Sequence, residues 1–387
     1  MSTAYIRHSA AVLPNAPISN EEMEQRLGLV GGKPARERGL VLRKNGIRQR
    51  YYATDPQTGA PTHSNASLTA AAVDKVLKEA GQTELDLLAC GTSSPDQLAP
   101  GHGVMVHGEL PHLGATEVMT AAGICCAGVA SLRYAAMAVQ SGQARHAVAT
   151  GSEISSSYMK AGQFAPEHDA RAARMEAEPE LAFDGVFLRW MLSDGAGALL
   201  VGDQPAAQGI SLAIEWIDLR SYAHQQPVCM YAGGEKSEQG ALKGWRDFAS
   251  AKDAAEAGAF TFRQDVRQLN EQVIPITVTQ GLSSALERHP LKAEEVDWFL
   301  PHYSSDYFRD KVHEGMVAAG FEVPMERWFT NLDEVGNVGS ASFYLLLDAL
   351  LRSNQLQPGQ KVLCFVPESG RFSTAWILLK AVSAESA

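Results

Sequence analysis

The chain carries its strongest structural signal in Ala122-Gly123-Ile124-Cys125-Cys126-Ala127-Gly128-Val129, where Cys126 begins a predicted apolar helix. A related stretch lies far downstream, Gly336-Asn337-Val338-Gly339-Ser340-Ala341-Ser342-Phe343. When Cys126 is placed on Asn337, the overlay also pairs Gly128 with Gly339, Ala130 with Ala341 and Ser131 with Ser342. A candidate nucleophile and a candidate hydrogen-bond donor therefore occupy the same position in two related units.

A second overlay supports an internal duplication. Residues 84–94 match residues 295–305 at both acidic positions and both serines, and His302 falls on Gly91. The two overlays share one offset, because 337 − 126 and 302 − 91 both equal 211. Helices and apolar strands alternate in both halves, which predicts a mixed α/β architecture. We expect the halves to span residues 1–207 and 208–387.

Two stretches, residues 155–189 and 221–267, have no counterpart in the other half. We interpret them as inserted caps near the substrate entrance, with plain surface elaboration as the alternative. Gly195-Ala196-Gly197 leads into a predicted strand and not a helix. This arrangement indicates close backbone packing, because nucleotide-binding glycine motifs open a helix.

The composition predicts an ordinary globular protein. Of 387 residues, 45% are hydrophobic and 20% are charged. The net charge, 33 − 44 = −11, argues against nucleic-acid binding. No apolar run approaches the roughly 20 residues that span a bilayer. The N-terminal segment lacks a signal-peptide pattern, and five irregularly spaced cysteines predict neither a disulfide framework nor a metal site. We expect a cytoplasmic location.

One segment departs from the acidic balance. Residues 34–50 have a local charge of +5, which leaves −16 for the rest of the chain. Its basic side chains are Arg36, Arg38, Arg43, Lys44, Arg48 and Arg50. They form either a solvated surface or a docking site for an acidic partner or a phosphate.

Three residues are candidates for chemistry. A helix N-terminus lowers a thiol pKa, so Cys126 is the candidate nucleophile. Cys125 points about 100° away around the helix and is interpreted as a packed neighbour. His302 ends a buried strand, where a catalytic partner is usually held. Asn337 either caps its helix or shares the site with Cys126.

The segments that contain Cys126, His302 and Asn337 resemble the β-ketoacyl-(acyl carrier protein) synthase III family of the thiolase superfamily. So do residues 44–50, 193–198 and 369–372. The resemblance implies a duplicated five-layer α-β-α-β-α fold. It makes Cys126 the acylated nucleophile, with His302 and Asn337 as partners and the backbone amides of Cys126 and Gly370 as the oxyanion hole. It also implies Claisen condensation of acyl carrier protein or coenzyme A thioesters by a homodimer without a metal or redox cofactor. Because acyl carrier proteins are acidic, residues 34–50 become a candidate docking face.

The chain departs from the family in places. Cys125 stands where alanine is usual, and Val338-Gly339 where Thr-Ser is frequent. Arg371 stands where glycine is common, which predicts either a reshaped pocket or a contact with a polar substrate. Residues 46–53, 62–66 and 187–195 are similar to ketosynthases of dialkylresorcinol and aryl-polyene clusters, which predicts a specialised lipid or polyketide pathway. Two alternatives stay open: Cys-dependent acyl transfer or thioester hydrolysis without carbon–carbon bond formation, and a non-catalytic ketosynthase-like partner subunit.

Overall fold

The computed structural model describes residues 2–35, 38–177, 187–237 and 239–384, with only the backbone of residues 171–177. The strands are β1 Tyr5–Val12, β2 Ile18–Ser19, β3 Gln49–Arg50, β4 Leu87–Thr92, β5 Glu117–Ala122, β6 His146–Glu153, β7 Gly195–Gly202, β8 Ile210–Ser221, β9 Met230–Tyr231, β10 Gly234–Lys236, β11 Leu242–Gly244, β12 Arg263–Gln264, β13 Trp298–Pro301, β14 Lys361–Glu368 and β15 Ser373–Ser383.

The α-helices are α1 Met23–Leu27, α2 Arg38–Asn45, α3 Asn65–Ala80, α4 His102–Gly108, α5 Cys126–Gln140, α6 Ser156–Met159, α7 Ala161–Ala177, α8 Ala251–Glu256, α9 Val266–Val273, α10 Gly281–Arg288, α11 Arg309–Ala318, α12 Leu332–Val335 and α13 Ser342–Arg352. A π-helical segment, Ile274–Gln280, joins α9 to α10. Within the described residues, no helix is both long and apolar enough to cross a membrane.

The main sheet joins two related halves. Across the described residues its strand order is β13-β14-β15-β8-β1-β7-β6-β4-β5. The halves meet where β1 and β8 pair antiparallel, with Tyr5 opposite Ala213 and Ile6 opposite Leu212. β4 is parallel to β6, and β13 is correspondingly parallel to β14. The boundary expected between residues 207 and 208 falls in the connection from β7 to β8.

Alternating side chains on the strands bury both faces of each half-sheet. On β4, Leu87 and Ala89 pack with α5 and α13 in one core, whereas Leu88 and Cys90 pack with α3 and α4 in another. On β14, Leu363 and Phe365 face α10 and α11 in the same manner. The layers are therefore α3 with α4, the first half-sheet, α5 with α13, the second half-sheet, and α10 with α11. This is the predicted five-layer α-β-α-β-α fold.

Glycines let the central helices approach the sheet and each other closely. A Cβ atom added to Gly128 would lie 2.2 Å from the Ser340 carbonyl oxygen, and one added to Gly197 would lie 2.3 Å from Tyr344 Cβ. The Tyr344 hydroxyl donates a hydrogen bond to the Gly128 carbonyl at 2.7 Å. The close packing predicted for Gly195-Ala196-Gly197 is confirmed, and this contact fixes α13 against α5.

The two stretches without counterparts pack against each other. Glu167 of the first forms a buried ion pair with Arg263 of the second. The ring centroids of Tyr158 and Phe262 lie 4.8 Å apart in an edge-to-face arrangement. Residues 178–186 and 238, which belong to these stretches, lie outside the described residues.

Candidate active site

A narrow cavity lies where strand ends from both halves meet. Its volume is about 60 Å³, and its lining includes Cys125, His302 and Asn337. The two stretches without counterparts supply part of the apolar wall, through residues such as Leu188 and Phe262. Their role as caps near the substrate entrance stays a prediction.

Cys126 begins α5 directly behind this lining. Its thiol donates a hydrogen bond to the Val366 carbonyl at 3.4 Å, and the side chain is buried. Burial and, secondly, the neighbouring Glu368 carboxylate raise the pKa of the Cys126 thiol well above its ordinary value. This is opposite to the lowering expected from the helix start. The resting thiol is therefore protonated at neutral pH, and its attack on a substrate requires a base.

Cys125 packs beside Cys126, as expected, and also lines the cavity. It precedes α5, has helical backbone angles (φ −58°, ψ −35°) and is half-buried against the core around α5. Its side chain belongs to the cavity lining as well, which the helical spacing alone did not predict. Cys90, Cys229 and Cys364 are buried.

His302 follows β13 at the edge of the cavity. Its backbone N–H donates to the Phe365 carbonyl at 2.8 Å, which places it beside the strand that also meets Cys126. Among the described residues, its imidazole ring makes no hydrogen bond. Burial lowers the pKa of His302 to about 4. The neutral ring therefore keeps one N–H donor available for a bound ligand at pH 7.

Asn337 combines the two roles considered for it. Its side-chain oxygen accepts a hydrogen bond from the Gly339 N–H at 3.0 Å, so it closes the turn that leads into α13. Its backbone N–H donates to the Met191 carbonyl at 3.0 Å. Because the oxygen is engaged, the side-chain amide nitrogen is the free end, and it makes no hydrogen bond within the described chain. Asn337 thus has a donor to offer in the cavity.

The residues expected to form the oxyanion hole lie close together. The Cys126 N–H donates to Glu368 Oε2 at 3.2 Å. A Cβ atom added to Gly370 would lie 2.8 Å from Ile124 Cδ1 and 3.3 Å from Glu368 Oε1. The Gly370 amide makes no hydrogen bond within the described residues. Both backbone amides therefore border the same small space, which the Glu368 carboxylate occupies.

Arg371 does not reshape the cavity as predicted. Its side chain is exposed and donates from Nε to the Gln226 carbonyl at 2.8 Å. The residue is absent from the cavity lining among the described residues. The expectation was wrong because the turn after β14 directs this side chain toward the surface.

Two carboxylates escaped the sequence interpretation. Glu153 ends β6 and accepts hydrogen bonds from the Ser93 hydroxyl at 2.7 Å, the Ser94 hydroxyl at 2.6 Å and the Ser340 N–H at 3.1 Å. Glu368 ends β14, the corresponding strand of the other half. A signal in the sequence was available: β6 and β14 are both eight residues long, each comes before the last strand of its half, and both end in glutamate.

The basic segment is only partly available for docking. Arg50 is fully buried and donates to Asn20 Oδ1 at 2.9 Å and to the Trp190 carbonyl at 3.2 Å. Its assignment as a docking residue was therefore wrong, because a buried guanidinium already engaged in the fold cannot reach a partner. Arg36 lies outside the described residues.

The other basic residues of the segment divide into two pairs. Arg38 and Arg48 form ion pairs with Glu24 and Asp333. Arg43 and Lys44, at the end of α2, are exposed. Lys44 also lines a second cavity of about 230 Å³.

The second cavity adjoins the first. Met191, Leu269 and Phe308 line both cavities and so form the wall between them. Leu40 and Lys44 of α2 line the second cavity on its other side. The exposed basic end of α2 therefore lies beside a cavity that shares a wall with the site.

Comparison with known proteins agrees with this arrangement. The family model "3-Oxoacyl-[acyl-carrier-protein (ACP)] synthase III C terminal" matches residues 286–378. The β-ketoacyl-[acyl-carrier-protein] synthase III of Bordetella petrii is 26% identical over 367 residues, covering 94% of this chain and 94% of that protein.

Solved structures show the same fold. AbyA1, a tetronic acid condensing enzyme, matches with a TM-score of 0.74 at 19% identity and covers 98% of this chain and 100% of its own. The 3-oxoacyl-(acyl carrier protein) synthase III FabH of Pseudomonas aeruginosa matches with a TM-score of 0.69 at 20% identity over 98% of each chain.

The protein is thus an acyltransferase with the thiolase-like fold. More specifically, the chain is similar to the β-ketoacyl-(acyl carrier protein) synthase III condensing enzymes.

Proposed function

We propose that this enzyme condenses an acyl group held on Cys126 with a second acyl thioester carried by an acyl carrier protein or coenzyme A. The product belongs to a specialised lipid or polyketide pathway of the dialkylresorcinol type. One observation carries the proposal: His302 and Asn337 of the second half offer unpaired donors to a cavity that is also lined by Cys125, the residue before Cys126 of the first half.

In the first half-reaction, the Cys126 sulfur attacks the thioester carbonyl carbon. The backbone amides of Cys126 and Gly370 then stabilise the oxyanion, and each such donor contributes a few kcal/mol. The thiol part of the substrate thioester then leaves, and the acyl group stays on Cys126. The proximity of these two amides in the structure supports this role.

In the second half-reaction, an α-C–H bond of the other thioester breaks, its proton passes to solvent water, and the bond's electron pair moves into an enolate. The His302 ring N–H and the Asn337 amide donate hydrogen bonds to the enolate oxygen. A neutral His302 suits this role, because it donates without placing a second charge in a buried site. The enolate carbon attacks the Cys126-bound acyl carbonyl, and the new carbon–carbon bond releases the chain from sulfur.

Acylation of a defined cysteine tests the proposal. We expect incubation with a hexanoyl thioester of N-acetylcysteamine to add one acyl mass to the native chain and none to Cys126→Ala. Cys125→Ala is the matched control, because Cys125 precedes the same helix and lines the cavity. Label that persists on Cys126→Ala but disappears from Cys125→Ala would move the nucleophile to Cys125. Absence of label on the native chain would favour a non-catalytic subunit.

Product analysis separates condensation from simple transfer. A condensing enzyme yields a product with a longer carbon chain from two thioesters. Recovery of only the free acid or an ester would support hydrolysis or acyl transfer, the alternative enzyme class.

Carrier docking is assigned to the exposed residues Arg43 and Lys44. Their position beside the second cavity and the acidity of acyl carrier proteins support this assignment. We expect Lys44→Glu to raise KM for a carrier-bound substrate and to leave the N-acetylcysteamine thioester unaffected. Charge reversal at Arg267, which is exposed and pairs with Glu271, is the matched control. Equal effects of Lys44→Glu on both substrates would contradict the docking role.

A homodimer fits the edge of the main sheet. Within the described residues, β5 pairs only with β4. Exposed apolar side chains surround that edge, namely Val104 of α4 and Tyr134 and Met137 of α5. An unpaired strand edge flanked by exposed apolar groups favours association with a second copy.

A further inference from the structure

The two glutamates that end corresponding strands reach across the molecule in opposite directions. Glu153 of the first half accepts a hydrogen bond from Ser340 N–H, just before α13 of the second half. Glu368 of the second half accepts hydrogen bonds from the Ile124 and Cys126 N–H groups, at the start of α5 in the first half. The duplication therefore places one carboxylate at each central helix start.

The two carboxylates differ in how completely the protein holds them. Glu153 receives hydrogen bonds from two serine hydroxyls and two backbone amides, and its side chain is fully buried. Glu368 receives two backbone bonds of 3.2 Å each and one hydrogen bond from the Ser373 side chain, and it is only partly buried. A carboxylate with fewer and longer bonds is the easier one to displace or protonate.

Glu368 occupies the space that the reaction needs for an oxyanion. Its Oε2 accepts the Cys126 N–H, and Oε1 lies on the side of Gly370. Two negative charges cannot share these amides in a site with little water, because uncompensated charge is costly there. The carboxylate must therefore lose its charge when the oxyanion forms.

Its neighbours explain how it loses that charge. Burial raises the pKa of the Glu368 carboxyl, although hydrogen bonds from Ile124, Cys126 and Ser373 oppose the shift. The charge of the same carboxylate contributes, after burial, to the raised pKa of the Cys126 thiol, so the two groups are electrostatically coupled. Burial and, secondly, Glu368 also raise the pKa of the Cys125 thiol.

We propose that Glu368 is the catalytic base that takes the Cys126 thiol proton, and that its protonation frees the oxyanion hole in the same step. The proposal rests on Cys126 being the nucleophile. The Cys126 S–H bond breaks, the proton moves to the Glu368 carboxylate, and the sulfur electron pair forms a bond to the thioester carbonyl carbon. The negative charge passes to the carbonyl oxygen, which accepts hydrogen bonds from the Cys126 amide that Glu368 has released and from the Gly370 amide.

The return step balances the proton. When the tetrahedral intermediate collapses, the bond from the carbonyl carbon to the leaving thiol sulfur breaks, and Glu368 gives its proton to that thiolate. The carboxylate is then restored. The site holds one negative charge throughout, so no additional charge is buried during acylation.

Two rates measured on Glu368→Gln test this role. The first is acylation of Cys126 by the hexanoyl thioester of N-acetylcysteamine, followed by intact mass. Loss of a general base slows such a step by about 10²–10⁴-fold. The second is alkylation of Cys126 by iodoacetamide at pH 8, located by peptide mapping. We expect alkylation to become faster, because the charge that raises the thiol pKa has been removed.

The opposite signs of the two effects identify a base. A carboxylate that merely blocks the hole would make both reactions faster on removal, and a purely structural residue would make both slower. Glu368→Asp, which keeps the carboxylate, should recover acylation at least about tenfold relative to Glu368→Gln. Any other pattern overturns the assignment. Failure of the proposed nucleophile is separate, because it appears as label on Cys126→Ala.

Discussion

Replacement of Asn337 by aspartate tests the division of labour between the two half-reactions. Aspartate has the same shape, and one of its oxygens can still accept the Gly339 N–H that Asn337 Oδ1 accepts at 3.0 Å. The turn before α13 is therefore preserved. The change is confined to the free end of the side chain, where an N–H donor becomes an oxygen acceptor.

The expected loss follows from one missing donor to the enolate. Removal of one oxyanion donor costs about 2.7–4 kcal/mol in the transition state. At about 1.4 kcal/mol for each factor of ten, condensation should slow by about 10²–10³-fold. The aspartate charge opposes the enolate and makes this a lower bound. Acylation of Cys126 uses other donors, so its rate should stay within about threefold.

Two assays separate the half-reactions. Intact mass follows acylation of Cys126, and liquid chromatography with mass spectrometry follows the condensed product. Asn331→Asp is the matched control, since Asn331 precedes α12, makes a 3.3 Å bond to the Leu345 carbonyl and lies away from the cavity lining. The reasoning fails if Asn337→Asp condenses at the native rate, or if acylation falls as far as condensation.

Two further predictions concern packing and pH. Gly128→Ala should lower Tm by about 1–4 °C in differential scanning fluorimetry, because an overpacked contact costs about 1–3 kcal/mol. The added methyl group would meet the Ser340 carbonyl, which is backbone and cannot rotate away. Gly162→Ala is the control and should not lower Tm, because no atom lies within 4 Å of the added methyl group. His302→Gln should lose less stability than the native chain between pH 7 and pH 5. The folded His302 pKa is about 4 against 6.5 unfolded, so the unfolded state binds more protons as pH falls, and the native chain loses about 2 kcal/mol by pH 5. Burial also lowers the pKa of His102 to about 4, but His102 is present in both proteins, so its contribution cancels when their free energies of unfolding in urea are compared. Equal losses of stability in His302→Gln and the native chain would contradict a neutral buried His302.

The sequence was sufficient to predict much of the fold. The common offset of 211 residues and the alternation of apolar strands with helices predicted a duplicated α/β architecture, and the family resemblance specified its five layers. Both follow from local patterns, since a strand buried on two faces and a helix buried on one must show them in the residues themselves. The strands β4 and β13 and the helix α5 lie where those patterns placed them.

Neither the charge of a residue nor its position next to Cys126 in the sequence was enough to predict whether its side chain lies in the site. Arg50 and Lys44 belong to the same basic segment, yet one is fully buried against Trp190 and the other is exposed beside a cavity. The amino-acid type gives the charge but not its burial, and burial depends on segments distant in the chain. Cys125 illustrates the same limit, because its helical backbone predicts a packed side chain but not the cavity that this side chain also lines.

By itself, then, the sequence determined which residues are candidates for chemistry, Cys126, His302 and Asn337, since residue type and local sequence pattern are properties of the chain alone. Only the tertiary structure decided that Glu368 lies against the Cys126 amide. The two residues are 242 positions apart and meet because β14 runs past the start of α5 in the packed layers. The same packing raises the thiol pKa and lowers that of His302, since desolvation arises from the assembled interior and not from any local run of residues.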